Sequence, residues 1–340
     1  MNYPETLAWI HGTERFGSRL GLGRMGRLLH RMGDPHLKVP YIHVAGTNGK
    51  GSTTTMIASA LTAGGFKTGK FISPFILEFR ERMQIDREMI PEETLAALAT
   101  RLRPIAEEFK AAGDPPTEFE LVTVLGLTWF AEAGCDIAVL EVGLGGRLDA
   151  TNIIPPPLVA VITRIDYDHT AILGDTLAAI AGEKCGILKR GSTVICYPDQ
   201  EEEALAVIRR RAKEEDDPLI LPDRTALSVL SADLTGSRIL YRGQEIFIPL
   251  PGPHQVLNTI TAVEALNALS SSRFALPPSA IAAGIAAARF PARLELLRQS
   301  PPVLVDGAHN PNGGRALCEA LKALDLHDLT AVVGMLRDKD

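Results

Sequence analysis

The segment YIHVAGTNGKGSTTT, residues 41–55, constrains this chain more than any other. A β-branched, apolar run turns abruptly into glycine and then into a helix-forming stretch. Strand, glycine-rich loop and helix in that order gather backbone N–H groups and the positive end of a helix dipole at one point, a natural seat for phosphate. Gly46, Gly49 and Gly51 let the backbone approach an anion closely, and Lys50 supplies a point charge. Ser52 or Thr53 supplies a hydroxyl for Mg²⁺ or a phosphate oxygen. The loop departs twice from the common G-x-x-x-x-G-K-[ST] pattern. Val44 stands where the first glycine is expected, and Gly51 separates Lys50 from Ser52. On the residues alone, a glycine-rich turn with a solvated lysine is the alternative.

The rest of the chain repeats the alternation. The pattern predicts a strand at 39–46, a helix at 52–64, a strand at 67–73, helices near 91–111 and 118–133, and strands at 135–143 and 158–163. A helix near 175–182 and a short strand in STVICY follow. Strands alternating with helices imply a mostly parallel sheet covered on both faces. Residues 226–250 break the rhythm, with turns at Thr235-Gly236 and Arg242-Gly243, and predict a small β-meander. Two helices come next, in GPHQVLNTITAVEALNAL and PPSAIAAGIAAARF. After RQSPP a fresh unit begins: strand VLVDGA, helix PNGGRALCEALKAL and strand LTAVVGM. The expected division is therefore an ATP-binding central domain over 1–297 and, over 298–340, the first β-α-β of a second, Rossmann-like α/β domain.

With 340 residues, 46% of them hydrophobic, the chain can bury ordinary cores. A net charge of −6 argues against non-specific nucleic-acid binding, which needs a basic face. No apolar run approaches the roughly 20 residues that span a bilayer, and the N-terminus lacks the pattern of a signal peptide. Cys135, Cys185, Cys196 and Cys318 form no C-x-x-C pair, which suits reduced thiols in a cytoplasmic protein. A second glycine-rich stretch, EVGLGGRLDATN, follows a strand, but Leu148 stands where a dinucleotide-binding G-x-G-x-x-G needs its third glycine.

Several stretches in one order carry a resemblance: VAGTNGKGST, FISPF, TEFELVT, LEVGLGGRLDATN, DYDHTAILG, GEKCGILK, HQVLNTITA, FPARLE and VDGAHNPNG. Together they resemble folylpolyglutamate synthase/dihydrofolate synthase, the folate branch of the Mur ligase superfamily, over nearly the whole chain. Members of that family continue well beyond GMLRDKD, so the resemblance implies a chain lacking most of its C-terminal domain. It also implies ATP-driven amide formation. A carboxylate, from dihydropteroate or from the terminal glutamate of a folate, attacks the γ-phosphate of ATP. The amine of L-glutamate then displaces phosphate from the acyl phosphate. The partners implied are these small molecules alone, with no nucleic acid or membrane, and the enzyme is expected to be a monomer. Two other readings stay open: a Mur-type ligase acting on a cell-wall precursor, against which LDATN and TEFE speak, and a catalytically weak nucleotide-binding fragment.

The resemblance assigns roles residue by residue. Gly49, Lys50, Gly51 and Ser52 match the family's phosphate loop, and Ser73, Glu141 and His169 match its magnesium ligands. Serine and carboxylate oxygens suit hard Mg²⁺, whereas histidine is softer than Mg²⁺ prefers, so His169 rests on the family. Glu141 ends a buried apolar run, where a charge needs a partner. Lys184 resembles the lysine that is carbamylated to help hold a second Mg²⁺; by itself it reads as a helix-end lysine. Lys50, His169 and Lys184 are thus the implied catalytic groups. Asn258, Arg293, Asp306 and His309 match nucleotide contacts. Ser18, Arg19 and Leu20, with Thr117, Glu118, Phe119 and Glu120 and with Leu148, Asp149 and Ala150, match positions lining the pteridine pocket. There Phe119 could stack on a pterin, or be a core residue, and Asp149 could accept from its amino groups. Phe75 replaces a histidine that relatives often carry.

Overall fold

The computed structural model describes residues 1–13 and 21–334, so the expected substrate residues Ser18, Arg19 and Leu20 lie outside the described residues. The chain opens with helices α1 (Tyr3–His11) and α2 (Gly23–Arg31). It continues with β1 (Tyr41–Ala45), α3 (Lys50–Ala63), β2 (Thr68–Phe71), β3 (Met83–Ile85), β4 (Glu88–Met89), α4 (Glu92–Ala111) and α5 (Glu118–Glu132). Then come β5 (Ile137–Glu141), β6 (Val159–Ile162), α6 (Thr170–Leu173), α7 (Leu177–Lys184), β7 (Thr193–Cys196), α8 (Glu202–Glu215) and β8 (Leu219–Ile220). A meander of β9 (Leu227–Asp233), β10 (Gly236–Tyr241) and β11 (Gln244–Ile248) precedes α9 (Pro253–Asn267) and α10 (Pro278–Ala286). Last are β12 (Glu295–Gln299), β13 (Pro302–Val305) and α11 (Pro311–Ala323).

The main sheet has the order β4-β3-β2-β5-β1-β6-β7-β8. It is parallel from β2 to β8, with β3 and β4 antiparallel at one edge. Strands buried on both faces need apolar residues at every position rather than an alternation, and β1 and β5 are buried throughout. Period-2 geometry divides each strand between two cores. Ile42, Val44, Val139 and Val161 pack under α3, α9, α10 and the meander. Leu140 and Phe71 face α4 and α5, while Ala160 and Ile162 face α7 and α8. β1 thus lies mid-sheet, and its carboxyl end opens where ligands bind in such sheets.

The C-terminal unit differs from expectation. β13 pairs antiparallel with β12, so the hairpin straddles the expected 297/298 boundary. The strand expected in LTAVVGM is not formed over 329–334, where Val332 is 98% exposed. A strand needs a ladder partner to satisfy its backbone, and among the described residues 329–334 pair with none. Among the described residues, no helix is long and apolar enough to cross a membrane.

Candidate functional site

The loop after β1 is held by its own backbone. Thr47 and Asn48 both donate their N–H to the Arg164 carbonyl, at 2.8 and 3.2 Å. Gly49 caps α3 at φ 85°, and a Cβ there would lie 2.5 Å from Asn258 Oδ1. Only glycine takes that backbone angle and that approach without strain. Gly51 explains the irregular spacing. A Cβ at this position would meet the Phe290 ring at 2.5 Å and Glu141 Oε2 at 3.3 Å. The hydroxyl is therefore displaced one residue, to Ser52, whose Oγ accepts from Gln255 Nε2 at 3.2 Å. Lys50 folds back, its Nζ donating to the Thr47 carbonyl at 3.1 Å.

Glu141 ends β5 beside this loop. It is 5% exposed and accepts from the Ser73 N–H at 3.2 Å. Burial pushes its carboxyl upward, against the pull of Lys50, the Ser73 N–H, Arg293 and Lys70. Lys184, 4% exposed at the end of α7, donates its Nζ to the Gly46 carbonyl at 2.8 Å. Burial, aided by Lys50, pulls its ammonium down to about 7, while Asp168 and Asp149 oppose. Arg293 sits over the Phe290 ring, 4.6 Å from its centroid. Asp306 spends its two oxygens on the Leu294 and Ala308 N–H groups, at 2.8 Å each. His309 donates from Nδ1 to the Gly307 carbonyl at 2.8 Å. His169 has the left-handed angle φ 50° at the start of α6, its Nε2 3.8 Å from Asp168 Oδ1.

All the residues expected to hold nucleotide or metal, from Gly49 to His309, line one cavity of about 220 Å³. Among the described residues, those expected at the pteridine, from Thr117 to Glu120 and from Leu148 to Ala150, do not line it. Thr117 and Glu120 form the capping box of α5, and Glu120 also accepts from Arg24 Nε at 2.8 Å. Glu118 pairs with His11 and Arg82, at 3.1 and 3.3 Å. Phe119 packs edge-on to Phe71 and lies so close over Gly143 that a Cβ there would be 2.5 Å from its ring. Leu148 is half-buried, and Ala150 is buried at the start of a short 3-10 turn. Phe75 packs edge-on to Phe79 under the Arg82 guanidinium.

Asp149, expected to accept from a pterin, has partners within the chain. Its carboxylate already accepts from the Leu144 N–H, the Thr151 N–H and Thr151 Oγ1, at 2.9, 2.9 and 2.5 Å. With its proton given to Asp149, Thr151 Oγ1 accepts from His43 Nε2 at 2.8 Å. Asp149 thus ties the 144–151 segment to β1. The sequence reading missed Gln255, whose Oε1 accepts from Asn258 at 3.1 Å, and the amides and acids around Asn48 described below. Asn48 was signalled by its place inside the glycine loop.

This geometry defines a phosphate-loop ligase of the Mur type. Residues 44–266, more than half of the chain, match the Mur ligase middle domain. The chain is 39% identical to folylpolyglutamate synthase of Lacticaseibacillus casei, covering 100% of this chain and 81% of that protein. It is 39% identical to dihydrofolate synthase/folylpolyglutamate synthase of Bacillus subtilis, covering 99% and 80%. Among solved structures, the S73A mutant of the L. casei enzyme superposes with a TM-score of 0.89 at 37% identity, over 100% of this chain and 84% of that one. The Mycobacterium tuberculosis folylpolyglutamate synthase complexed with ADP and AMPPCP gives 0.85 at 32% identity, over 95% and 75%. The chain belongs to the folylpolyglutamate synthase/dihydrofolate synthase family. It is an ATP-dependent ligase that forms carbon–nitrogen bonds, adding glutamate in folate metabolism.

Proposed function

We propose that this cavity activates the carboxylate of dihydropteroate, or the γ-carboxylate of a tetrahydrofolate (poly)glutamate, as an acyl phosphate and passes it to L-glutamate. A carboxylate oxygen bonds to the γ-phosphorus as the bond to the ADP oxygen breaks. The glutamate amine then attacks the acyl carbon, phosphate leaves, and the amine gives up a proton. Both first reactants are anionic, so their approach needs cations and N–H donors arranged beforehand. The loop N–H groups and Lys50 serve the phosphates. Arg293 lies on the Glu141 side of the same cavity. Asn258, Asp306 and His309 bound the nucleotide from the other walls.

The single observation that carries this reading is the convergence of the phosphate loop, buried Glu141 with Ser73, and the 306–309 segment on one cavity. Glu141 and Ser73 fit Mg²⁺: a buried carboxylate is costly without a cation, and both ligands offer hard oxygens. Among the described residues, no group of three or more His, Cys, Asp or Glu side chains stands ready to hold a metal. Ser73, Glu141 and His169 would therefore share Mg²⁺ with phosphate and water. When bound, Mg²⁺ would neutralise phosphate charge during transfer. An amine held near neutrality is the form that takes up carbon dioxide, which supports a carbamate on Lys184 and a second Mg²⁺. We place the enzyme in the cytoplasm as a monomer, with the nucleotide domain over 1–297 and a glutamate-ligase domain beginning at 298.

The test compares dihydropteroate with tetrahydrofolate, each with ATP and L-glutamate, reading ADP release and product mass. ADP release coupled to the addition of one glutamate is expected with at least one acid. Its absence with both would overturn the proposal.

A further inference from the structure

We infer that Asn310, Asn312 and Arg315 form a latch that docks the start of α11 onto the phosphate loop, and that they act as positioning residues for the ligase reaction. Asn48, inside the loop, exchanges two hydrogen bonds with Asn310: Asn48 Nδ2 donates to Asn310 Oδ1 at 3.3 Å, and Asn310 Nδ2 donates to Asn48 Oδ1 at 3.1 Å. Asn48 Nδ2 also donates to Asn312 Oδ1 at 2.8 Å. Two carboxylates close the network from the 164–168 segment. Asn310 Nδ2 donates to Asp168 Oδ2 at 3.0 Å, and Asn312 Nδ2 to Asp166 Oδ2 at 2.6 Å. Arg315 Nη2 adds a bond to the same Asp166 oxygen at 3.2 Å.

Both sides of the latch are fixed to their own elements. Thr47 Oγ1 donates to the Asp166 carbonyl at 2.9 Å, so the loop and the 164–168 segment are one body. Asn310 Oδ1 caps α11 by accepting from the Gly313 N–H at 2.8 Å. Asn310 is 7% exposed although it lies on a loop, so its amide bonds are made largely away from water and are costly to leave unmade. Amides suit this place. A carboxylate on Asn48 would repel a phosphate in the loop, and an ammonium would compete with Lys50.

The latch determines where the reaction's C-terminal groups lie. Asp306 and His309 belong to the connection between β13 and α11. Its first end is anchored by the pairing of β13 with β12, and its second by the latch. Opening the latch leaves the loop's own N–H groups in place for phosphate and Asp306 tied to the Leu294 N–H, but lets His309, next to Asn310, drift. Turnover and nucleotide affinity therefore both depend on the latch. This second clause rests on the proposed function; the latch itself does not.

The test uses Asn312→Asp, which sets a carboxylate against Asp166, and the pair Asp166→Asn with Asn312→Asp, which exchanges donor and acceptor. Asn48 can donate to Asp at 312 as readily as to Asn, and Arg315, which bonds Asp166 in the parent, can turn to the carboxylate moved to 312. Backbone hydrogen exchange over 302–323 should quicken about tenfold in the single variant and return to the parent rate in the double. kcat should fall about tenfold and Kd for AMPPCP should rise by about threefold or more, with the double variant recovering both. Unchanged exchange in the single variant, or no recovery in the double, overturns the latch. Restored exchange with kcat unaffected throughout overturns the positioning role. A parent chain that makes no amide counts against the proposed function alone, because the exchange measurement still decides the latch.

Discussion

Gly51 lies against Glu141 and so close to the Phe290 ring that a Cβ there would have to displace it. Lys50→Ala and Glu141→Ala each remove a charge from that point while leaving the core untouched. Ligation should fall at least about 10³-fold with the circular dichroism spectrum unchanged; parental ADP release in either variant would refute the assignment. Asp149→Asn tests this structural role. It should cost about 1–3 kcal/mol in urea denaturation, because an amide keeps only one oxygen, so either Thr151 or the Leu144 N–H loses its acceptor. The phosphate loop was legible in sequence because glycine, lysine and hydroxyl side chains declare their chemistry in a short span. The tasks of Asp149 and Glu120 were not. Arg24, the partner of Glu120, lies far away in the chain, and Asp149 reaches distant His43 only through Thr151. Nor was the amide latch, since Asn48 and Asn310 carry no charge pattern to mark them.

At the scale of elements, α3 and α10 touch backbone to backbone. A Cβ on Gly284 would lie 2.2 Å from Ala60 Cα, and Ser59 Oγ donates to the Gly284 carbonyl at 2.7 Å. Gly284→Ala must force these helices apart. A loss of about 1–3 kcal/mol is expected in urea denaturation, larger than helix propensity alone could offset. The long elements were legible from their apolar periods, with ends shifted by one to a few residues. The short ones were not. β3, β4 and β8 are too brief to show a period of two. α2 has two glycines in nine residues, which hides its buried Met25, Leu28 and Leu29. α8 was left unassigned although Ala204, Leu205, Val207, Ile208 and Ala212 form one buried face. β12 takes its identity from the antiparallel partner that follows it, which the sequence reading had placed at the start of a parallel unit.

For the molecule as a whole, His43 sets a pH dependence. Buried on β1 in the middle of the sheet, it is held neutral, its pKa lowered from 6.5 to about 3 chiefly by burial and then by Lys189. The unfolded chain therefore binds a proton that the folded chain refuses between those values. Stability should fall as pH drops through that window, at no more than about 1.4 kcal/mol per pH unit from this group. His43→Gln should flatten the slope; identical slopes in urea denaturation across the window would exclude His43 as its source. The global fold was legible because alternating strands and helices permit few arrangements, whereas the C-terminal hairpin depends on a pairing no local pattern announces. One further consequence follows from the burial of α3, whose residues are covered from Gly51 through Leu61. The cavity resembles a vise with a fixed jaw, the loop on α3, and a movable jaw, the 306–309 connection on a half-exposed unit. A molecule gripped between them has little rigidity to add to the fixed jaw. Its stabilising effect should fall on the movable one, so saturation with nucleotide should protect the C-terminal hairpin and α11 from protease far more than it raises the melting temperature of the core.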